Sequence, residues 1–400
     1  MEHTLIKYIP VKRAKRFSRL LGKYYYCFTM MILLLLSTLS CTNVGVDKDT
    51  ERCDTLKFKY AEHISAYIYD KYTVVNLANP WSKGDNLHTY ILVNKEDSTI
   101  EENSLPKGTV VYTPIERSVV ATAPHCNLLT WIGCLGAISG VFDAEYINNV
   151  SINERLASGE IVDCGSSYSP ITELIISIKP QAFLMSPFEN VDYGNMGRLA
   201  IPIIECADYM ETSALGRAEW MRFYGLLFGC FDEADSLFNE VVDNYLHIKN
   251  VVSSYDTDRL VVTERKTGNV WYCPGGNSSL GQMIKDAGGR YAFADNKNSG
   301  SLALSAETVI DKASDADVWL FMYNGARPIT RNELLAEYRG YAAIKAFKTC
   351  EIYECNATES MYFEEISFRP DYLLRELAQI VHPNSDLSGA LRYYKKLEDE

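Results

Sequence analysis

The sequence predicts an α/β protein of two similar lobes joined by a long helix and entered through a β-rich N-terminal extension, and three observations carry that reading. One helix–strand unit occurs twice, as SPITELIISIKPQAFLM in residues 169–185 and LALSAETVIDKASDADVWLFM in residues 302–322. Each opens a helix near a glutamate (Glu173, Glu307), breaks at Pro180 or at Asp315 to Asp317, and ends in an apolar run that reads as a buried strand. Between the two units, Trp220, Phe223, Tyr224, Leu227, Phe228, Leu237, Phe238, Val241, Val242 and Tyr245 keep a helical period from Leu215 to Val252. Ahead of both units, short strand-like segments alternate with Pro and Gly punctuation.

The first forty residues stand apart. Lys7, Lys12, Arg13, Lys15, Arg16, Arg19 and Lys23 precede an apolar run from Tyr24 to Leu36, the charged and apolar regions of an export signal in order. Ser37 to Ser40 then lead into Cys41, which resembles a bacterial lipoprotein lipobox with Cys41 as the acylated residue. Thr38 stands where Leu is commonest and Leu39 where a small residue is expected, so an uncleaved membrane anchor is the alternative. Both place the body outside the cytoplasm. Residues 1–40 are thus a signal peptide and residues 41–54 a polar tether.

Removing residues 1–40 leaves 32 bases against 51 acids, a balance of −19, which repels nucleic acid and anionic lipid. With Cys27 and Cys41 set aside, nine cysteines remain without paired CxxC spacing; Cys134, Cys206 and Cys230 sit in apolar stretches and read as core residues, while Cys350 and Cys355 could pair if their strand turns back.

In the β-rich extension, residues 55–112, strands are expected at Lys57 to Tyr60, Tyr72 to Ala78, His88 to Val93 and Thr109 to Tyr112. The first α/β lobe, residues 113–214, begins with the strand Ser118 to Ala121, a turn at Pro124 and a helix from Asn127 to about Leu135. The linking helix covers residues 215–252, with a break possible near Gly229. A second lobe over residues 253–385 and a polar tail over residues 386–400 complete the chain.

Several segments, in this order, resemble the class III periplasmic binding proteins that serve importers of vitamin B12, haem and ferric siderophores. They are SVVATAPHCNLLTWIGCLGAISGV, TELIISIKPQAFLM, the helix after ETSALGRAEW, WYCPGGNSSLGQMIKDAGGRYAFAD and FRPDYLLRELAQIVHP, within residues 110–385. The resemblance implies two Rossmann-like lobes joined by a rigid helix, a ligand held between them, and delivery to an ABC transporter permease dimer with its ATPase. It also implies that Glu173 and Glu307 are the permease-docking charges, one per lobe, and that the protein acts as a monomer without an intrinsic cofactor, its metal chelate being cargo. A helix-start carboxylate is also favoured by the macrodipole, by about 0.3–1 kcal/mol, so each glutamate has a structural reading too.

Open α/β sheets bind ligands at the carboxyl ends of their strands. The loops expected there carry Tyr168, Phe188 and Tyr209 in the first lobe and Trp271, Tyr272, Tyr291, Tyr323, Tyr362 and Phe363 in the second. Flat aromatic faces suit a macrocycle or an aromatic chelate, though core packing claims part of such a set. Arg265 and Arg327 could clamp an anion, and His125 could ligate haem iron or cobalt. The glycine pairs Gly275-Gly276 and Gly288-Gly289 lack nucleotide-binding spacing, and no GxSxG elbow or HExxH helix is present. No catalytic residues or protein metal site are therefore assigned. The alternatives are an extracytoplasmic cofactor-binding enzyme on a similar scaffold, which would need clustered cysteine ligands, and a surface interaction protein, supported by the unmatched β-rich segment.

Overall fold

The computed structural model describes residues 53–97, 100–387 and 389–398. The predicted signal peptide, the acylation site Cys41 and nearly all of the tether lie outside the described residues.

Two sheets define the lobes. In the first, the strands lie in the order Ile203–Glu205, Ala182–Met185, Ser118–Val120, Ile138–Val141 and Val162–Asp163, all neighbours parallel. The strand from residue 118 is central, and the chain winds outward from it first to one side and then to the other, as in a Rossmann half. Alternation along the strands sends Val119 and Phe183 to a small core with Phe142 and Ile175, while Val120 and Leu184 face the main core. In the second sheet, Arg290–Tyr291, Leu260–Thr263, Val318–Tyr323 and Ile352–Asn356 are parallel, and Lys395–Lys396 adds an antiparallel edge. The two lobes are thus Rossmann-like α/β units, as expected.

The N-terminal extension is a five-stranded sheet in sequence order: Asp54–Leu56, Ile64–Ile68, Tyr72–Ala78, Asn86–Asn94 and Thr109–Thr113. Its core residues Ala66, Val75, Leu77 and Tyr90 belong to the same continuous core as the lobes. The strand expected at Lys57 to Tyr60 is absent; its neighbours Asp54–Leu56 and Ile64–Ile68 form strands instead. The reason is a carboxylate: Glu219 accepts backbone N–H groups from Lys59 (2.8 Å), Tyr60 (2.7 Å) and Ala61 (2.9 Å), so these amides are satisfied without a ladder. Glu211 does the same for Glu62 and His63. Tyr90 completes the seam: its hydroxyl donates to Ile203 O and accepts from Glu205 N, both at 2.8 Å, which extends the first lobe's edge strand.

The predicted linking helix is three segments, Ala214–Glu219, Met221–Phe228 and Phe231–Val252. The break falls at Gly229, whose φ of 72° ends the second segment; a Cβ there would also come within 2.9 Å of Pro114. The last segment runs 22 residues without interruption, with Ala234, Phe238, Val241, Tyr245, Ile248 and Val252 as its buried stripe. The expected polar tail is a second correction, because Tyr393, Tyr394 and Leu397 are buried. Glu376 accepts the backbone N–H groups of Tyr393 and Tyr394, and Arg392 pairs with Glu365, tying this segment into the second lobe.

Candidate ligand-binding site

In the first sheet the winding reverses between the strands Ser118–Val120 and Ala182–Met185, and the loops leaving their carboxyl ends diverge to opposite faces. That divergence opens a crevice. A cavity of about 750 Å³ occupies it, bounded by Ala121 and Thr122 after one strand and by Met185 and Ser186 after the other. Its aromatic walls are Tyr168, Phe188, Tyr193 and Tyr209. Tyr168 and Phe188 are exposed, at 96% and 59%, and so present uncovered ring faces. Tyr209 donates its hydroxyl to Pro187 O at 2.5 Å, and Tyr193 donates to Glu205 Oε1 at 3.3 Å.

Glu205 ends the edge strand of the first sheet and is almost completely buried; its Oε2 has no hydrogen-bond partner. Burial raises its pKa, and the Tyr193 hydroxyl partly opposes that. The three first-lobe aromatics expected from the sequence, Tyr168, Phe188 and Tyr209, thus converge on one cavity, while Asp192, Tyr193 and Glu205 were not anticipated. The loop carrying Phe188 was expected to line the site, and its continuation to Met196, with its own Tyr and Asp, was the available signal.

The second lobe departs further from expectation. Trp271 is fully buried and edge-on to Tyr341, with its indole N–H donated to Thr263 O at 3.0 Å. Tyr291 is buried and donates to Pro274 O, and Tyr362 is buried against Tyr393 and Tyr394. Tyr323 is 9% exposed and donates to Arg327 O. These four rings are core, and for Trp271 strand alternation explains why: in Val270–Pro274, Trp271 and Cys273 point inward and only Tyr272, 48% exposed, points out. Phe363 is also exposed.

Both predicted anion clamps are already engaged. Arg265 pairs with Glu337, which also accepts from the Tyr341 hydroxyl. Arg327 holds both oxygens of Glu333, the residue that closes a capping box with Thr330 on the helix Arg331–Glu337. The second lobe's own winding reversal lies between Leu260–Thr263 and Val318–Tyr323, and Glu264 stands there with φ 61°. Burial pushes its pKa up to about 7, against a hydrogen bond from Met322 N and the charge of Arg265.

His125 is not a free imidazole. It is 3% exposed, its Nε2 lies 3.0 Å from Asp208 Oδ1 and 2.8 Å from Tyr224 Oη, and its Nδ1 bonds Thr122 Oγ1. Burial works against its charge, yet Cys206 and Asp208 raise its pKa above the ordinary value. A buried ring with both nitrogens already hydrogen-bonded leaves no lone pair open to a metal. Among the described residues, no group of three or more His, Cys, Asp or Glu is arranged to hold a metal ion.

Glu173 and Glu307 occupy matching places, each the second residue of its helix, in Thr172–Ile178 and Ala306–Ala313. Both are exposed. Beside Glu173 stand the exposed apolar side chains Ile171, Leu174 and Ile176. At Glu307 the helix-start amide and the Ser305 hydroxyl hold the carboxyl below its usual range.

A family model described as periplasmic binding protein matches residues 129–358. An uncharacterized lipoprotein of Methanocaldococcus jannaschii is 27% identical over 385 residues, covering 90% of this chain and 89% of its own length. Among solved structures, a periplasmic haem-binding protein of Pseudomonas aeruginosa superposes with TM-score 0.56 at 12% identity, covering 71% of this chain and 99% of that one. A periplasmic vitamin B12-binding protein of Vibrio cholerae gives TM-score 0.50 at 13% identity, over 68% and 98% of the two chains.

Proposed function

From the premise that this chain belongs to the periplasmic binding protein family, we propose that it is an exported, lipid-anchored solute-binding protein that captures a bulky metal chelate and delivers it to an ABC importer. Solute binding without catalysis is the character of that family and of its solved neighbours. The observation that carries the ligand class is the cavity of about 750 Å³ at the first lobe's winding reversal, walled by aromatic rings. That volume lies within the range of pockets that bury drug-sized ligands, and open ring faces suit a macrocycle or chelate. Proteins named for haem and vitamin B12 binding share the fold, which supports the same class here.

Cys41 is the acylated residue in this reading, supported by the apolar run before it and by the relative named as a lipoprotein. Glu173 and Glu307, exposed at matching helix starts on the two lobes, are the permease-docking charges. The test is a pair of measurements on the wild type and on the double variant Glu173→Ala with Glu307→Ala. Visible-spectrum titration with haem, cobalamin and ferric siderophores should show saturable binding of at least one chelate, unchanged in the variant, while uptake by cells carrying the cognate importer is lost. A tenfold loss of affinity in the double variant, about 1.4 kcal/mol, would move these glutamates from the docking surface into the site.

A further inference from the structure

The charge and hydrogen-bonding character of the site narrow its ligand. At the first-lobe cavity, Tyr193 and Tyr209 spend their hydroxyl hydrogens on Glu205 and Pro187 O, so towards a ligand each offers only oxygen lone pairs. Asp192 adds an acidic side chain to the same lining, and Glu205 sits behind Tyr193 with its Oε2 unpartnered. Among the described residues, no lysine, arginine or histidine lines this cavity. The nearby His125 is sealed into its contacts with Asp208, Tyr224 and Thr122.

The second lobe does not restore a positive field. Arg265 is committed to Glu337, and Arg327 to Glu333. Recruiting Arg327 to an anion would also loosen the carboxylate that caps the helix Arg331–Glu337 through Thr330 N at 2.9 Å. At the equivalent winding reversal stands another acid, Glu264. An anionic chelate would therefore find neutral donors such as Ser186 and Asn195 but an acidic side chain and no lining counter-charge, whereas an ammonium would meet tyrosine oxygens, Asp192 and open aromatic faces that also favour a cation.

We propose that this protein selects a neutral or positively charged chelate rich in hydrogen-bond donors and discriminates against anionic chelates. The inference rests on the chelate-binding reading above and specifies its ligand class.

The test uses three ferric chelates that share one linear trihydroxamate core and differ only at the end: a free terminal amine, its acetylated form, and its succinylated form, which are positive, neutral and negative. Each is titrated into the detergent-solubilised full-length chain while intrinsic tryptophan fluorescence is followed, with cobalamin and haem titrated in parallel. The expected affinity order is amine, then acetyl, then succinyl, with about tenfold between the first and last at low salt and a smaller ratio at high salt. Glu205→Gln should narrow that ratio; because Glu205 is buried, the exposed Asp192→Asn gives the same readout without a core change. Tightest binding of the succinylated form or of haem, or equal binding of all three hydroxamates, overturns the charge preference and leaves the chelate reading standing. Binding of none of the five removes the proposed function and this inference with it.

Discussion

His125 Nε2 and Asp208 Oδ1 lie 3.0 Å apart, both buried, at the place where the first lobe meets the second. The imidazole is edge-on to Phe368, a residue from the second half of the chain, at 5.4 Å between ring centres, and edge-on to Tyr224 of the linking segment at 4.8 Å. Arg217 and the Tyr224 hydroxyl share the same carboxylate. Aromatic packing therefore spans the lobe junction, and behind it one buried carboxylate pairs with both His125 and Arg217.

That pair should give stability a two-sided pH dependence. The folded pKa of His125 is raised from 6.5 to about 10, so its contribution is complete below the unfolded value and is lost as pH rises through the folded one. Asp208 is lowered from 3.8: burial opposes that, but the charges of His125 and Arg217 prevail, so its contribution is present above the unfolded value and is lost as pH falls through the folded one. Melting temperature followed from acid to alkaline pH should show a plateau with a decline towards pH 10. Asp208→Asn should cost about 3–5 kcal/mol at neutral pH, since it leaves a buried base without its counter-charge. It should also abolish the alkaline decline; a variant that kept the wild-type profile would sink the assignment.

The N-terminal sheet should prove inseparable from the lobes. Glu219 holds three consecutive backbone N–H groups of residues 59–61, and Arg222 and its own burial fix that carboxylate in place. An amide at this position presents hydrogens to some of those donors, so Glu219→Gln should cost about 2–4 kcal/mol, more than one lost neutral hydrogen bond. Hydrogen exchange should accelerate selectively at residues 59–61. Deleting the whole sheet would take Tyr90 away from Phe223, uncover the main core there, and should leave no cooperatively melting body. A well-folded truncated protein would show that the extension is an appendage.

Aromatic substitutions should separate core from site. Trp271→Ala removes a fully buried ring and should destabilise the fold by about 3–5 kcal/mol, while the folded fraction binds chelate normally. Phe188→Ala and Tyr209→Phe should behave in the opposite way. The first removes an exposed ring and should weaken binding by about 1–2 kcal/mol with little change in melting temperature. The second keeps the ring but frees Pro187 O from its hydroxyl. Comparing the affinity of folded protein with thermal stability for each variant distinguishes the two roles, and a large affinity loss in Trp271→Ala at wild-type stability would reverse the assignment.

The pattern of these residues shows what was legible in the sequence. Both lobes could be read because each repeats a helix and a buried strand with its own period, and the strands at Ala182–Met185 and Val318–Tyr323 fall where the apolar runs end. Tyr168, Phe188 and Tyr209 could be placed because loops at strand carboxyl ends must line the crevice whatever the packing above them. The second lobe's aromatics could not be sorted in the same way. Trp271 and Tyr272 are adjacent and chemically similar, and one inward and one outward orientation follows only from the pairing of their strand with Ser301–Leu304. Glu219, Glu211 and Glu376 were equally hidden: a carboxylate that grips backbone N–H groups from a distant segment has no local signature, yet these three contacts decide that Lys57 to Tyr60 is not a strand and that the C-terminal segment is not a tail.

Lobe closure on ligand binding should be small, although the linking element is segmented. The segment Phe231–Val252 spans about 33 Å at 1.5 Å per residue, and its buried stripe packs along the helix Pro370–Val381, so bending it would break both backbone hydrogen bonds and side-chain packing. The break at Gly229 does not supply a hinge, because Met221–Phe228 and Phe231–Val252 pack against each other and Gly225 lies so close to Ala234 that an added Cβ would come within 2.7 Å of it. The lobes are also pinned directly: Asn149 donates to Asn127, Asn127 reaches Glu364 O at 3.4 Å, and Glu364 Oε1 accepts from Asn148 N at 3.2 Å. A site that closes little must draw its affinity from surfaces already in place, here the aromatic cavity of the first lobe. Solution scattering of the free and chelate-saturated protein should therefore give the same radius of gyration within error. Asn127→Ala, which removes one of these pins between the lobes, should be the variant in which a ligand-dependent compaction first becomes measurable. A compaction already present in the wild type would show that the lobes move as a hinge and that the contacts among Asn127, Asn149 and Glu364 yield on binding.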